Sequence, residues 1–152
     1  MKLSSPLYIK LRKKFTLNLN QYRNSHYRTL NSLKIKYKEV MKEQILSIVK
    51  HKIYRCCIFY TVYKNDKRHF DIGNICSVHQ KFCEDALVEL GRLEDDRYVN
   101  IPMCVFSVGG IDNDNPRVEI EIIEFKKKDC VKQIIKKVEE IIERSMSLWK
   151  KK

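Results

Sequence analysis

Apolar and polar residues follow two rhythms along this chain, and the changes of rhythm mark its elements. From about Thr29 to Lys50, Leu30, Leu33, Tyr37, Val40, Met41, Ile45 and Ile48 recur at steps of three and four, with Lys34, Lys36, Lys38 and Lys42 between them. This spacing predicts an amphipathic helix with a basic outer face. Ile53 to Tyr63 is β-branched and aromatic and reads as a strand, followed by a turn over Lys64–Arg68. Asn74 to Leu90 holds no Gly or Pro and carries Ile75, Val78, Phe82, Ala86 and Leu90 at helical steps, with Asp71 and Asn74 at its entry and Gly91 at its exit. Tyr98–Val108 and Arg117–Phe125 read as strands joined by a turn through Gly109–Pro116. In the second of these, Arg117, Glu119 and Glu121 alternate with Val118, Ile120 and Ile122. Residues 127–150 predict a last amphipathic helix on Val131, Ile134, Ile135, Val138, Ile141, Ile142 and Leu148, whose stripe covers the sheet or pairs with a second subunit. Before all of these, Leu7–Leu19 holds a short strand. Strands and helices mix without strict alternation, so the expected class is α+β, a single domain with a mixed sheet packed with amphipathic helices.

The 152 residues match one domain with a real core. No apolar run reaches the ~20 residues of a membrane span, and no apolar segment follows Met1–Pro6, so a cytoplasmic protein is expected. Six cysteines form no C-x-x-C pair, which suits free, mostly buried thiols.

Charge divides the chain into three. Residues 1–55 carry +12, residues 56–125 carry −6 and residues 126–152 carry +6, for a total of +12. Basic arms around an acidic middle fit a polyanion-binding protein with a central carboxylate site; they equally fit a surface that keeps a small protein soluble. Within the first arm, Asn18 to Arg28 is polar and ring-rich. Asn20, Tyr22, Arg23, Asn24, His26, Tyr27 and Arg28 supply amides and guanidiniums for phosphates and rings for bases. The same segment also has the makings of a helix-capping loop.

In the acidic middle, Asp71 precedes a helix and Asp95-Asp96 follow it. Brought together by the fold, the three would offer the hard oxygen ligands Mg²⁺ prefers, for phosphodiester hydrolysis. Taken alone, acid pairs in loops are usually solvated.

The strings Phe70-Asp71-Ile72-Gly73-Asn74, Lys81-Phe82-Cys83-Glu84-Asp85-Ala86-Leu87 and Asp95-Asp96-Arg97-Tyr98-Val99 resemble the RusA-like Holliday-junction resolvases of phages and prophages. That family carries D-x-D-N at a helix entry, a Lys within the helix, D-A-L four residues after it, and D-D before a strand. The resemblance covers about residues 15–125, leaving the last helix as an extension. It departs from the pattern in two ways. Gly73 stands where the family has its second Asp, and the stretch from Asn74 to Lys81 is longer by about four residues, roughly one helical turn.

The resemblance implies a Mg²⁺-dependent endonuclease (Mn²⁺ serving in its place) that resolves four-way DNA junctions by paired nicks, as a homodimer. Asp71 and Asp96 would be the main metal ligands and Asp95 their helper. Lys81 would neutralise charge on the scissile phosphate. Lys34 and His79 join the expected DNA contacts, Asn74 caps the helix, and Asp85 pairs with a nearby base. The missing carboxylate at Gly73 keeps open a branched-DNA-binding protein without catalysis, and a small basic RNA-binding protein is the bland alternative.

Overall fold

A computed structural model describes residues 1–125 and 130–149. The order is β1 (Lys2–Pro6), β2 (Tyr8–Lys10), β3 (Lys14–Thr16), α1 (Leu19–Arg23), α2 (Tyr27–Ile48), β4 (Cys56–Lys64), α3 (Ile72–Glu89), β5 (Met103–Ile111), β6 (Arg117–Glu124) and α4 (Cys130–Trp149). The result is the expected single α+β domain. A four-stranded sheet runs β1-β6-β4-β5, and β2 with β3 forms a separate hairpin. β1 pairs antiparallel with β6, β6 antiparallel with β4, and β4 parallel with β5.

β4 has apolar residues in both registers, as a strand covered on both faces must. Ile58, Tyr60 and Val62 face the larger core beneath α2 and α3, while Cys57 and Phe59 face a smaller one beneath α4. Each fully buried side chain of this size stabilises the fold by roughly 1.5–3 kcal/mol. The polar positions of β6 lie on the α4 face, where Glu121 meets Lys137 at 2.5 Å.

α2 presents Leu33, Tyr37, Met41 and Ile45 inward at four-residue steps, whereas Val40 and Ile48 at the margins of the expected stripe are exposed. α3 begins on Asp71, whose side chain accepts from the Gly73 and Asn74 amides. It ends as the sequence predicts. Gly91, at φ 68, donates to the Val88 carbonyl and Arg92 donates to the Leu87 carbonyl, the five-to-two and six-to-one closure of a glycine-stopped helix.

Two N-terminal elements lie beyond what the sequence predicts. Lys2–Pro6 forms the edge strand β1, because Leu3 (2% exposed) and Ser5 (0%) point inward. The polar Asn18–Arg28 segment holds the short helix α1. All six cysteines are free, four of them buried, and burial pushes the Cys56, Cys76 and Cys83 thiols up to about 12. Among the described residues no helix is long and apolar enough to cross a membrane.

Candidate nucleic-acid interface

The hairpin β2–β3 is pinned from below by Leu7, Ile9 and Leu17, all buried, and by the Leu17 amide donating to the Leu7 carbonyl. Its tip, Arg12-Lys13, therefore stands in solvent against the α1–α2 corner. Between hairpin and corner runs a groove of about 760 Å³ lined by Arg12, Lys13, Lys14 and Arg28, with Leu11 and Phe15 as its apolar part; Thr29 also lines it, as do Ser25 and Ser32, whose hydroxyls donate to the Gln21 and Arg28 carbonyls. Among the described residues no acid lines it. Four cations along one trough suit successive phosphates.

At the corner, His26 caps α2 through Nδ1 and its ring lies 4.4 Å from that of Tyr27. The Arg28 Nε donates to the Tyr27 hydroxyl at 3.2 Å. Tyr27 is 67% exposed, which leaves its ring free for a base to stack on. The hairpin cations Arg12, Lys13 and Lys14 are not singled out by the sequence. The run Lys10–Lys14 is visible there, but its position beside Arg28 depends on the hairpin.

The far side of the hairpin helps to form a second groove of about 630 Å³, with Thr16, Asn18 and Asn20 on one wall and Lys64, Arg68, His69, Asp71 and Asn74 on the other. Here Asp66 accepts from Lys64 at 2.8 Å, and that hydrogen bond holds its carboxyl below the ordinary range. Asp71 Oδ1 is taken up by capping, at 2.8 Å to the Gly73 amide and 3.4 Å to that of Asn74. Asn74, expected to cap, instead turns its Oδ1 into the protein, where it is buried without a partner.

The structure does not bring the three expected metal ligands together within one chain. β4 and β5 are parallel, so the connection must leave at the Lys64 end and return to the Met103 end. α3 makes that return in 18 residues, about 27 Å of helix. Asp71 lies before it and Asp95-Asp96 after it, beside the bridge of Leu93 to Ile53 that precedes β4. Residues on either side of a crossover helix sit at opposite ends of the sheet. Lys81 is the tenth residue of α3, about 15 Å from its Asp71 end; it meets Asp85 at 3.8 Å, which also pairs with Lys34.

At the lower end, the Asp96 backbone N–H donates to Asp95 Oδ1 at 2.8 Å. Partial desolvation works to raise the Asp95 carboxyl, but its hydrogen bonds to Asp96 and the Arg97 guanidinium at 2.5 Å outweigh it and leave the group below the ordinary range. Among the described residues no three His, Cys, Asp or Glu side chains gather as a metal site. Mg²⁺ needs oxygen ligands at about 2.1 Å, so Asp71, Asp95 and Asp96 of one chain do not fit a single ion.

Three expected DNA contacts are also corrected. His79 is fully buried, its Nδ1 2.8 Å from Ser5 Oγ, because it stands four residues after Ile75 and three before Phe82, on the buried face of α3. Lys34 is engaged by Asp85 at 3.2 Å and Glu89 at 2.9 Å, tying α2 to α3. Tyr22 is half-buried, edge-on to Phe82 at 6.0 Å. Asn20, Arg23, Asn24, His26, Tyr27 and Arg28 are exposed.

Burial pushes the His79 imidazole down to about 3 from 6.5. Between those values the unfolded chain binds more protons than the folded one, so stability falls as pH falls through that window. Urea denaturation at pH 7 and pH 5 is expected to differ by about 2 kcal/mol from this group alone. In His79→Gln that part of the difference disappears; an unchanged difference contradicts the assignment.

Glu84 is a further buried charge that the sequence does not single out. It faces the sheet from α3, sharing a helix face with Gln80 and Leu87, and accepts from Tyr60 Oη at 3.2 Å and Cys104 Sγ at 3.5 Å. Burial raises its pKa, and the negative charge of Asp96 adds to the rise. No family model matches the chain, and no curated protein matches it.

Proposed function

We propose that this protein acts on branched DNA as a Mg²⁺-dependent endonuclease of the RusA-like kind, working as a pair of chains. The observation that carries the reading is the acid-free basic groove, whose hairpin also walls the groove containing Asp71. A basic groove divided by one hairpin from a groove that holds an exposed carboxylate suits a protein that grips DNA and acts on its backbone. Since α3 carries the chain from one end of the sheet to the other between Asp71 and Asp95-Asp96, a shared ion would take Asp71 from one chain and the aspartate pair from a second running the opposite way. When bound there, such an ion would supply polarisation of the scissile phosphate. The adjacent Asp95-Asp96 carboxylates are a reasonable donor set for it, because they offer the hard oxygens that Mg²⁺ prefers.

The test compares a synthetic four-way junction with duplex DNA of the same sequence, in Mg²⁺ and in EDTA. Nicks confined to the junction and to Mg²⁺ are expected. Binding without cleavage in Mg²⁺ or Mn²⁺ at any concentration overturns the endonuclease; tighter binding to duplex RNA overturns the substrate.

A second reading, binding to branched DNA without cleavage, is favoured by Gly73. A Cβ built at Gly73 lies 3.3 Å from Asp71 Oδ1, the end of an exposed side chain that can give by a few tenths of an ångström while stretching its two capping bonds. Gly73→Asp is therefore tolerated, and an acid in the first turn suits the helix dipole. With the missing carboxylate supplied, the Mg²⁺ concentration giving half-maximal cleavage is expected to fall about tenfold. Cleavage that appears only in Gly73→Asp favours the binding protein as the natural state.

A further inference from the structure

α4 carries more apolar surface than the sheet uses. Ile134, Val138 and Ile141 pack on the smaller core, and on the same side Lys137 meets Glu121 while Arg144 donates to Ser107 Oγ at 3.2 Å. At about 100° per residue, Val131, Ile135, Ile142 and Met146 form a second stripe, turned roughly 110° from the sheet-facing side. All four are more than half exposed, from 51% to 57%. The stripe runs about 22 Å along the helix.

The flank of this stripe is ordered by charge. Lys132, Lys136, Glu139 and Glu143 occupy one sector about 60° wide, with both bases toward the N-terminus and both acids toward the C-terminus. When two such helices lie antiparallel, the same flank of each faces the other. Val131 then stands opposite Met146 and Ile135 opposite Ile142. In nearly the same register, Lys132 faces Glu143 and Lys136 faces Glu139. The pattern complements itself only in the antiparallel sense, since parallel pairing brings unlike flanks together.

We infer that α4 is a self-association surface, on which a second copy of this chain docks its own α4 antiparallel about a twofold axis. Because the stripe points sideways rather than away from the sheet, the partner helix lies beside α4 and the two sheets share one layer. The interface is small, so dissociation in the micromolar range is expected. The pairing rests on α4 alone and stands whether or not the protein cuts DNA.

Sedimentation of the full chain at low salt tests it. At about 100 µM the unmodified protein is expected at twice its 18.2 kDa mass, and Ile135→Glu with Ile142→Glu at the single-chain mass. Two charge variants probe whether the flanks pair with each other. Lys132→Glu with Lys136→Glu makes the flank wholly acidic, and Glu139→Lys with Glu143→Lys makes it wholly basic. Each alone is expected to dimerise at least about tenfold more weakly, and a one-to-one mixture is expected to restore the dimer. A single-chain mass at every concentration, charge variants that dimerise as well as the unmodified chain, or a mixture that fails to pair would each overturn the proposal. So would a chain that stays single and binds lipid vesicles through this stripe. An unchanged far-ultraviolet circular dichroism spectrum and melting temperature show that each variant remains folded.

Discussion

Replacing Arg12, Lys14 and Arg28 together by Ala is expected to weaken binding to a four-way junction about 100-fold at 0.15 M salt. The three side chains line one groove with no acid among its lining residues, so each removal takes away a phosphate neutraliser and leaves no buried charge unpaired. The slope of log K against log salt should become shallower by about three, one unit for each lost contact. Stability should change little, because the three side chains are exposed. Lys34→Ala is the informative contrast. Its ammonium is held by Asp85 and Glu89, so its loss should alter stability while the salt slope stays the same. Equal loss of DNA affinity in both variants, measured by fluorescence anisotropy across a salt series, contradicts the groove assignment.

The two helix-flanking corners of α3 illustrate how far the sequence can be read. The periodicity of Ile75, Val78, Phe82 and Ala86 and the glycine at position 91 place α3 within two residues at each end, because these signals are local. Whether Asp71 and Asp96 meet is not local. It follows from β4 and β5 being parallel neighbours, a pairing that the alternation within each strand does not reveal. The same limit hides β1. Leu3 and Ser5 alternate with polar residues over only five positions, and their inward role depends on β6 being available to pair.

His79 misleads for a related reason. A polar residue in a basic protein reads as surface, yet its place between Ile75 and Phe82 on the inner face of α3 carries it to Ser5. Lys34 misleads because ion pairs between α2 and α3 depend on how the helices cross. The exposed corner His26-Tyr27-Arg28, by contrast, is legible from composition, since three consecutive side chains around a helix start cannot all be buried.

Asp71→Asn and Asp96→Asn are each expected to lower junction cleavage by about 10²- to 10³-fold with little cost to folding. Asn caps a helix about as well as Asp, so α3 keeps its start in the first variant. In the second, the Asp96 backbone N–H that donates to Asp95 Oδ1 is retained. The loss is therefore attributable to chemistry, provided junction affinity is retained.

The measurement that bears most directly on the two-chain reading is cleavage by a mixture of these two variants after subunit exchange. In a mixed dimer one shared site loses both substituted carboxylates, and the other keeps Asp71 from one chain and Asp96 from its partner. Half of the dimers at equilibrium are mixed and each has one intact site of two, so nicking should recover to about a quarter of the unmodified rate. A mixture as inactive as either variant alone would contradict the account.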